Sequence, residues 1–510
     1  MQHVESNLPP VWEQERTFHD DLNDWMERTP WLAVSLGVHF IAYFLLLAMP
    51  WSHRETPVVT EITSSVVPPV EAPEDPPIPP IEQVLDAPVD DPTLMPVETP
   101  SLVESDSFSD LPDSPVEAES TSTNVFDSIW TNPVLGSGGG ASGKFGPRGP
   151  GGRGKGTRGS QLGVEQGLKW LRDHQSEDGS WDVDEYFVHN VRGGTDCREG
   201  AGIASQDVGI TGLALLAFLA EGSSTRQGEY KEVVRRGIEW LSKQQDPDTG
   251  LIGAAIGHAF LYDHAIATLA MAENYYDSRS PFQKKQTQLA VNFIGRARAP
   301  YGGWRYEAPS DGDTDTSVTG WMIFALRAAE DAKLRVDREG YQAALAWLDS
   351  VTDPATGRVG YIGPERGGRS SRTEVNADYP AEETEAMTGV GLLTRVFLGQ
   401  TPDQNPILLK HGDLMLRTLP EWDEARHKVD MYYWYYGTYA MYQLGGEHWR
   451  KWKAAMERAI LPHQRTDGDY KGSWDPVGPW GYQGGRVYST ATMVLTMQVY
   501  YRYSRVLGGR

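Results

Sequence analysis

Residues 311–321 read DGDTDTSVTGW, three aspartates at alternate positions followed by a polar turn and an apolar run. Carboxylates so spaced can act as a general acid, hold a cation or cap a helix. Asp313 and Asp315 are the acid candidates. The same grammar, an acid just ahead of an apolar stretch, recurs at Asp207 in SQDVGITG, Asp263 in YDHAIATL and Glu385 in TEAMTG. Exposed N–H groups at a helix start favour an anion, so each of these acids is a cap candidate as well. If the helices run parallel, the four acids ring one mouth of the domain. His264 and Tyr433 fall near that ring, and Trp304, Trp321 and Tyr436 supply its walls. Carboxylates brought that close would share a proton or bind a cation such as calcium, although no resident metal or cofactor is assigned.

The formal charge of −24 is unevenly spread. Residues 1–135 hold 24 acids and 3 bases, residues 136–160 five bases and no acid, which leaves −8 for residues 161–510. A mildly acidic domain with no basic face excludes nucleic acid as a partner. Cys197 is the only cysteine, so intrachain disulfides and zinc sites built on several thiolates are excluded.

From Trp31 to Trp51 the chain runs without Asp, Glu, Lys or Arg, long enough for a bilayer-crossing helix with interfacial tryptophans at both ends. The acidic segment ahead of it, DDLNDWMER, is not the basic region of a signal peptide. Ser35 and His39 stand four apart and share one helix face. Residues 54–135 then hold 15 prolines and 17 acids against Arg54 alone, a composition that cannot bury a core and extends by self-repulsion. Residues 136–160, with 12 glycines, read as a flexible basic hinge. The SLGVH pattern followed by a Pro/Glu-rich stretch resembles the TonB-type energy transducers. That resemblance implies a single retained anchor whose Ser35/His39 face meets an inner-membrane motor protein, with the following domain periplasmic.

Beyond residue 160 a small residue, an aromatic three positions on and an adjacent aliphatic recur: Gly167/Trp170/Leu171, Gly237/Trp240/Leu241, Ala290/Phe293/Ile294 and Ala344/Trp347/Leu348. Each set lies on one helix face. A turn rich in Asp, Gly and Pro follows, then a second helix that is apolar nearly all round, as expected of a helix buried among others. Six such pairs, with no polar terminal cap, argue for a closed ring. GLKWLRDHQSEDGSW matches the QW motif of squalene and oxidosqualene cyclases through Gly167, Trp170, Leu171, Gln175, Gly179 and Trp181. The domain therefore resembles the α6/α6 toroid of those cyclases and of protein prenyltransferase β subunits, and the whole chain resembles the anchored squalene-cyclase-repeat proteins common in planctomycetes.

The resemblance implies two chemistries. Class II terpene cyclases protonate an alkene from the middle Asp of D-x-D-D; here Asp313 and Asp315 keep two positions, and Thr316 replaces the last acid. Prenyltransferase β subunits ligate zinc through Asp, Cys and His; Asp315 keeps the first, while Ser317 and Tyr433 stand at the others. The sequence thus predicts an all-α protein in five parts. They are an acidic segment 1–30, a transmembrane helix 31–51, a disordered acidic linker 52–135, a Gly/Arg-rich hinge 136–160 and an α6/α6 toroid of six helical hairpins, 161–510. Its predicted function is to bind an envelope ligand or polypeptide in the cavity or on the rim. The alternatives are a terpene-cyclase-type isomerase using Asp315 and an (α/α)6 glycan-cleaving enzyme. Photo-crosslinkers beside His39 in the full chain are expected to capture a membrane partner; capture of none would remove the transducer reading.

Overall fold

A computed structural model describes residue 39, residues 157–188 and 198–364, residue 368 and residues 377–502. The chain divides into two compact units, Met1–Ser107 and Phe108–Arg510. Of the first, only His39 is described, helical and exposed. The predicted transmembrane span with Ser35, the linker, most of the hinge and Cys197 lie outside the described residues. Among the described residues no helix is long and apolar enough to cross a membrane.

The second unit is helical, with no strand among its described residues. Six helices form an inner ring: α2 (Asp207–Glu221), α4 (Phe260–Ser278), α6 (Thr316–Asp331), α8 (Ala386–Phe397), α10 (Met431–Leu444) and α12 (Gly481–Met497). Each packs on the next, and α12 packs on α2, which closes the circle. Inner helices are buried on all sides; in α2 every residue from Gly209 to Ala220 is buried. Six outer helices surround them: α1 (Arg158–Asp173), α3 (Lys231–Lys243), α5 (Pro281–Ala297), α7 (Glu339–Ser350), α9 (Ile407–Met415) and α11 (Gly446–Ile460). A short helix, α13 (Val499–Arg502), follows α12. This is an α/α toroid.

The pairing differs from the simplest reading of the repeats, in which each outer helix pairs with the inner helix after it. Every outer helix from α3 onward packs on the inner helix before it, and α1, which has none, packs on α12. Connection length explains the difference. Gly445 alone separates α10 from α11, and two residues separate α4 from α5, whereas the outer-to-inner links are long. Short links make antiparallel neighbours.

Those long links are fastened by the repeat residues. Gln175 Nε2 donates to Gly179 O (2.9 Å) within its own turn and to Val233 O (3.0 Å) on α3. Gln245 Nε2 donates likewise to Gly250 O (3.2 Å) and to Gln286 O (3.0 Å) on α5. Gln464 Nε2 donates to Gly472 O (2.9 Å) and to Gly163 O (2.9 Å) on α1. In these three turns one side chain therefore ties the turn to the next outer helix, and the last ties the end of the repeat array to its beginning. Tryptophans in three of the outer-to-inner links are buried, with Nε1 donating to helix-end carbonyls: Trp181 to Leu171 O (2.8 Å), Trp304 to Ile294 O (2.8 Å) and Trp474 to Ile460 O (2.9 Å). Their backbone N–H groups donate to inner-helix threonines, Thr211 (2.9 Å), Thr319 (3.1 Å) and Thr490 (3.3 Å).

Aromatic side chains meet across the ring. Trp321 of α6 stacks on Tyr435 of α10 (6.0 Å between centroids, 13°) and meets Tyr436 edge-on (5.5 Å), although α8 separates their helices around the ring. Toward the C-terminal ends of the inner helices, Arg502 of α13 pairs with Glu273 of α4 at 3.0 Å in a buried setting.

Gly179 has φ +103°, and a Cβ there would lie 2.4 Å from Arg236 O on α3. Gly312 has a similar φ, +97°, with nothing within 4 Å. Gly312→Ala should cost about 1–2 kcal/mol for the left-handed backbone alone. Gly179→Ala should cost clearly more in thermal or denaturant unfolding, because a backbone carbonyl must move as well.

Candidate functional site

Because inner helices alternate with outer ones they run parallel, and their N-termini share one mouth. Five of the six carry an acid there, α12 being the exception. Asp315, fully buried, is the N-cap of α6: Oδ1 accepts from Val318 N–H (2.8 Å) and Oδ2 from the Tyr361 hydroxyl (3.0 Å). Burial pushes its carboxyl up to about 7, against the pull of the Val318 N–H, the Tyr361 hydroxyl and the Arg305 charge. Glu385, also buried, precedes α8 and accepts from Arg358 Nε (2.9 Å) and the Thr388 hydroxyl (2.7 Å). Asp207 opens α2 and accepts from Val183 N–H (3.0 Å); burial raises it to about 7, aided by Asp182, Asp184 and Asp178. Asp263, in the first turn of α4, is raised well above the carboxylate range by burial and by Asp207.

Asp207 lies close enough to Asp263 for its charge to help raise the Asp263 carboxyl. Asp182, Asp184 and Asp207 bring one oxygen each to within 4.8 Å of one another, the donor set a hard divalent cation takes. Asp313 turns away from Asp315 to pair with Arg305 and leaves its side chain 59% exposed.

His264 is buried and braces the wall: Nδ1 accepts from Ile252 N–H (3.1 Å) and Nε2 donates to Ala290 O (3.1 Å). Burial lowers its pKa to about 4, so it stays neutral. Trp304 is the buried turn tryptophan described above, and Trp321 and Tyr436 meet across the ring. Tyr433 points outward, edge-on to Trp452 (5.4 Å) with its hydroxyl on Thr418 O (2.9 Å). Its neighbour Tyr432 takes the inward direction, and its hydroxyl meets Ser317 Oγ at 2.7 Å.

The residues actually grouped around Asp315 are tyrosines. Tyr361 bonds to Asp315, its hydroxyl is joined to that of Tyr306, and Tyr262 and Tyr432 sense the Asp315 charge. None of these was a candidate in the sequence. Tyr306 and Tyr361 lie in the irregular stretches RYEAP and GYIGP, where no periodicity assigns a direction. Asp430 was also missed; it caps α10 by accepting from Tyr433 N–H (3.0 Å) and accepts from the Thr384 hydroxyl (3.0 Å). VDMYYW carries the same signal as the other capping acids.

A second feature lies on the outside of the ring. A groove of about 650 Å³ opens between the 416–430 loop and α11, over the outward face of α10. Trp422 stacks flat on His463 there (4.3 Å, 7°), and Tyr379, Trp434, Arg417 and Arg458 also line it.

Residues 157–352 match the family model of the squalene-hopene cyclase C-terminal domain. The toroid is similar to that cyclase domain. A squalene–hopene cyclase of Bradyrhizobium diazoefficiens is 27% identical over 192 residues, 34% of this chain and 27% of the relative. The chain thus spans about a quarter of that relative's length. Among solved structures, the type II terpene cyclase MstE from Scytonema covers 67% of this chain and 97% of its own at 15% identity and a TM-score of 0.43. An α-1,6-mannanase of Salegentibacter sp. HEL1_6 covers 67% and 98% at 12% identity and a TM-score of 0.44.

A carboxyl whose pKa rises from 3.8 unfolded to about 7 folded takes up protons on folding between those values, so its contribution to stability falls as pH rises from about 4 to 7 and stays low above. Asp315→Asn keeps a carbonyl oxygen for Val318 N–H and has no such titration. The melting temperature of the variant relative to the parent should therefore rise between pH 4.5 and pH 8; a difference independent of pH would contradict the assignment.

Proposed function

We propose that this chain is a binding protein, an α-toroid displayed in the cell envelope from a single anchor at residues 31–51, which holds a ligand and does not convert one. The observation that carries this reading is the state of Asp315. Both of its oxygens are occupied, by a helix N–H and by Tyr361, its surface is fully covered, and Asp313 is drawn off to Arg305. An acid that protonates an alkene needs a face bared to substrate and a neighbouring group that tunes it. The contacts of Trp321 with Tyr435 and Tyr436 across the ring support the same reading, since these side chains take up space an enclosed isoprenoid would use. The open, mixed polar and aromatic groove on α10 is better suited to a polymer than to a lipid. On this reading the Ser35/His39 face would connect the anchor to a motor protein in the same membrane.

A second reading keeps one observation in its favour. A carboxyl that titrates near neutrality beneath linked tyrosines retains a proton it could deliver, as in a class II cyclase-type isomerase. One experiment separates the two. The full-length protein and its Asp315→Asn variant, incubated with squalene and other polyprenoids and with envelope glycans, should give no product from either. A cyclised product lost in Asp315→Asn would establish the isomerase; glycan cleavage lost in Asp207→Asn would establish the hydrolase alternative.

A further inference from the structure

We propose that the groove between the 416–430 loop and α11 docks an extended, acidic, proline-rich polypeptide. The proposal deepens the binding reading above and rests on it, but it uses none of the residues around Asp315.

The charges on the groove's walls decide the class of ligand. Arg426 and Lys428 are paired with Glu421 (2.9 and 2.8 Å), and Arg426 also engages Asp423. Asp430, at the floor, is consumed by Tyr433 N–H and the Thr384 hydroxyl. Arg417, just past α9, and Arg458, on α11, are exposed, and their guanidiniums carry no ion pair or hydrogen bond among the described residues. Both cations line the groove, and of its three lining carboxylates Glu421 is neutralised by Arg426 and Lys428, Asp430 is held by uncharged donors, and Glu383 has no ion pair among the described residues. A neutral sugar polymer is recognised largely through free carboxylate and amide acceptors, and two of the groove's three lining carboxylates, Glu421 and Asp430, already have donors of their own. A carboxylate-bearing chain instead finds two guanidiniums ready for bidentate contact.

The aromatic residues specify the backbone. Trp422 is fixed by His463 on one face and by Glu424 at Nε1 (2.8 Å), and Trp434 lies 5.9 Å from it. Tyr379 meets His427 edge-on at 5.3 Å on the far wall. Fixed aromatic platforms beside charged groups suit proline-rich segments, whose preformed extended helix loses little entropy on docking.

The test uses the full-length protein and fluorescence anisotropy of a labelled peptide of alternating proline and glutamate, with the proline–lysine peptide as control. The glutamate peptide should bind, more weakly as salt rises, and the lysine peptide should not. Arg417→Glu with Arg458→Glu should weaken binding by about tenfold or more, and Trp422→Ala should weaken it too, while Asp315→Asn should leave it unchanged. If the charge-reversed protein melts early, Arg417→Gln with Arg458→Gln replaces it, with the same loss expected. Binding of neither peptide, equal binding of both, an arginine variant that binds like the parent, or displacement by a neutral mannan oligosaccharide would each overturn the proposal. Polyprenoid turnover with peptide binding intact would overturn only the non-catalytic reading, and loss of peptide binding without turnover only this one.

Discussion

Ring closure is the constraint on which the rest of this molecule depends, and glutamine side chains carry much of it. Gln175, Gln245 and Gln464 each bond their own turn and a carbonyl on the next outer helix, and the Gln464 bond to Gly163 joins the last turn to the first helix. Each hydrogen bond contributes about 1 kcal/mol net, yet leaving a buried carbonyl unmet costs more than that. A repeat array whose ends did not meet would expose the apolar flanks of α2 and α12, which pack on each other only because the circle closes.

Closure also determines what the acids at the mouth can do. With every inner helix pointing the same way, six N-termini converge on one face; five carry a carboxylate there, and Asp315 and Asp430 cap their helices. Asp315, Glu385 and Asp430 each satisfy backbone or hydroxyl donors that a dry interior would otherwise strand. The acids of the sequence thus become structural ties, and the guanidiniums that line the outer groove without an ion pair among the described residues lie on α11 and beside α9.

Direction was the hardest property to read from the chain. YYWYYGTY presents aromatics on every side of α10, so periodicity alone did not separate Tyr433, which faces α11, from Tyr432 and Tyr436, which face the bore. His264 beside Asp263 looked like part of a titrating site; it is a neutral strut between two backbone groups. Tyr306 and Tyr361 reach Asp315 from loops with no repeating pattern, and only the folded chain brings them there.

By itself the sequence determined the helical toroid, the buried inner and more amphipathic outer helices, and the capping role of Asp315, because periodicity, turn chemistry and N-cap preference act over a few residues. The tertiary structure alone decided that α1 pairs with α12, that Asp315 has no free face and that Arg417 and Arg458 line one groove with no ion pair among the described residues. Those outcomes depend on groups far apart in the chain competing for the same donors, acceptors and space, a competition that local pattern does not record.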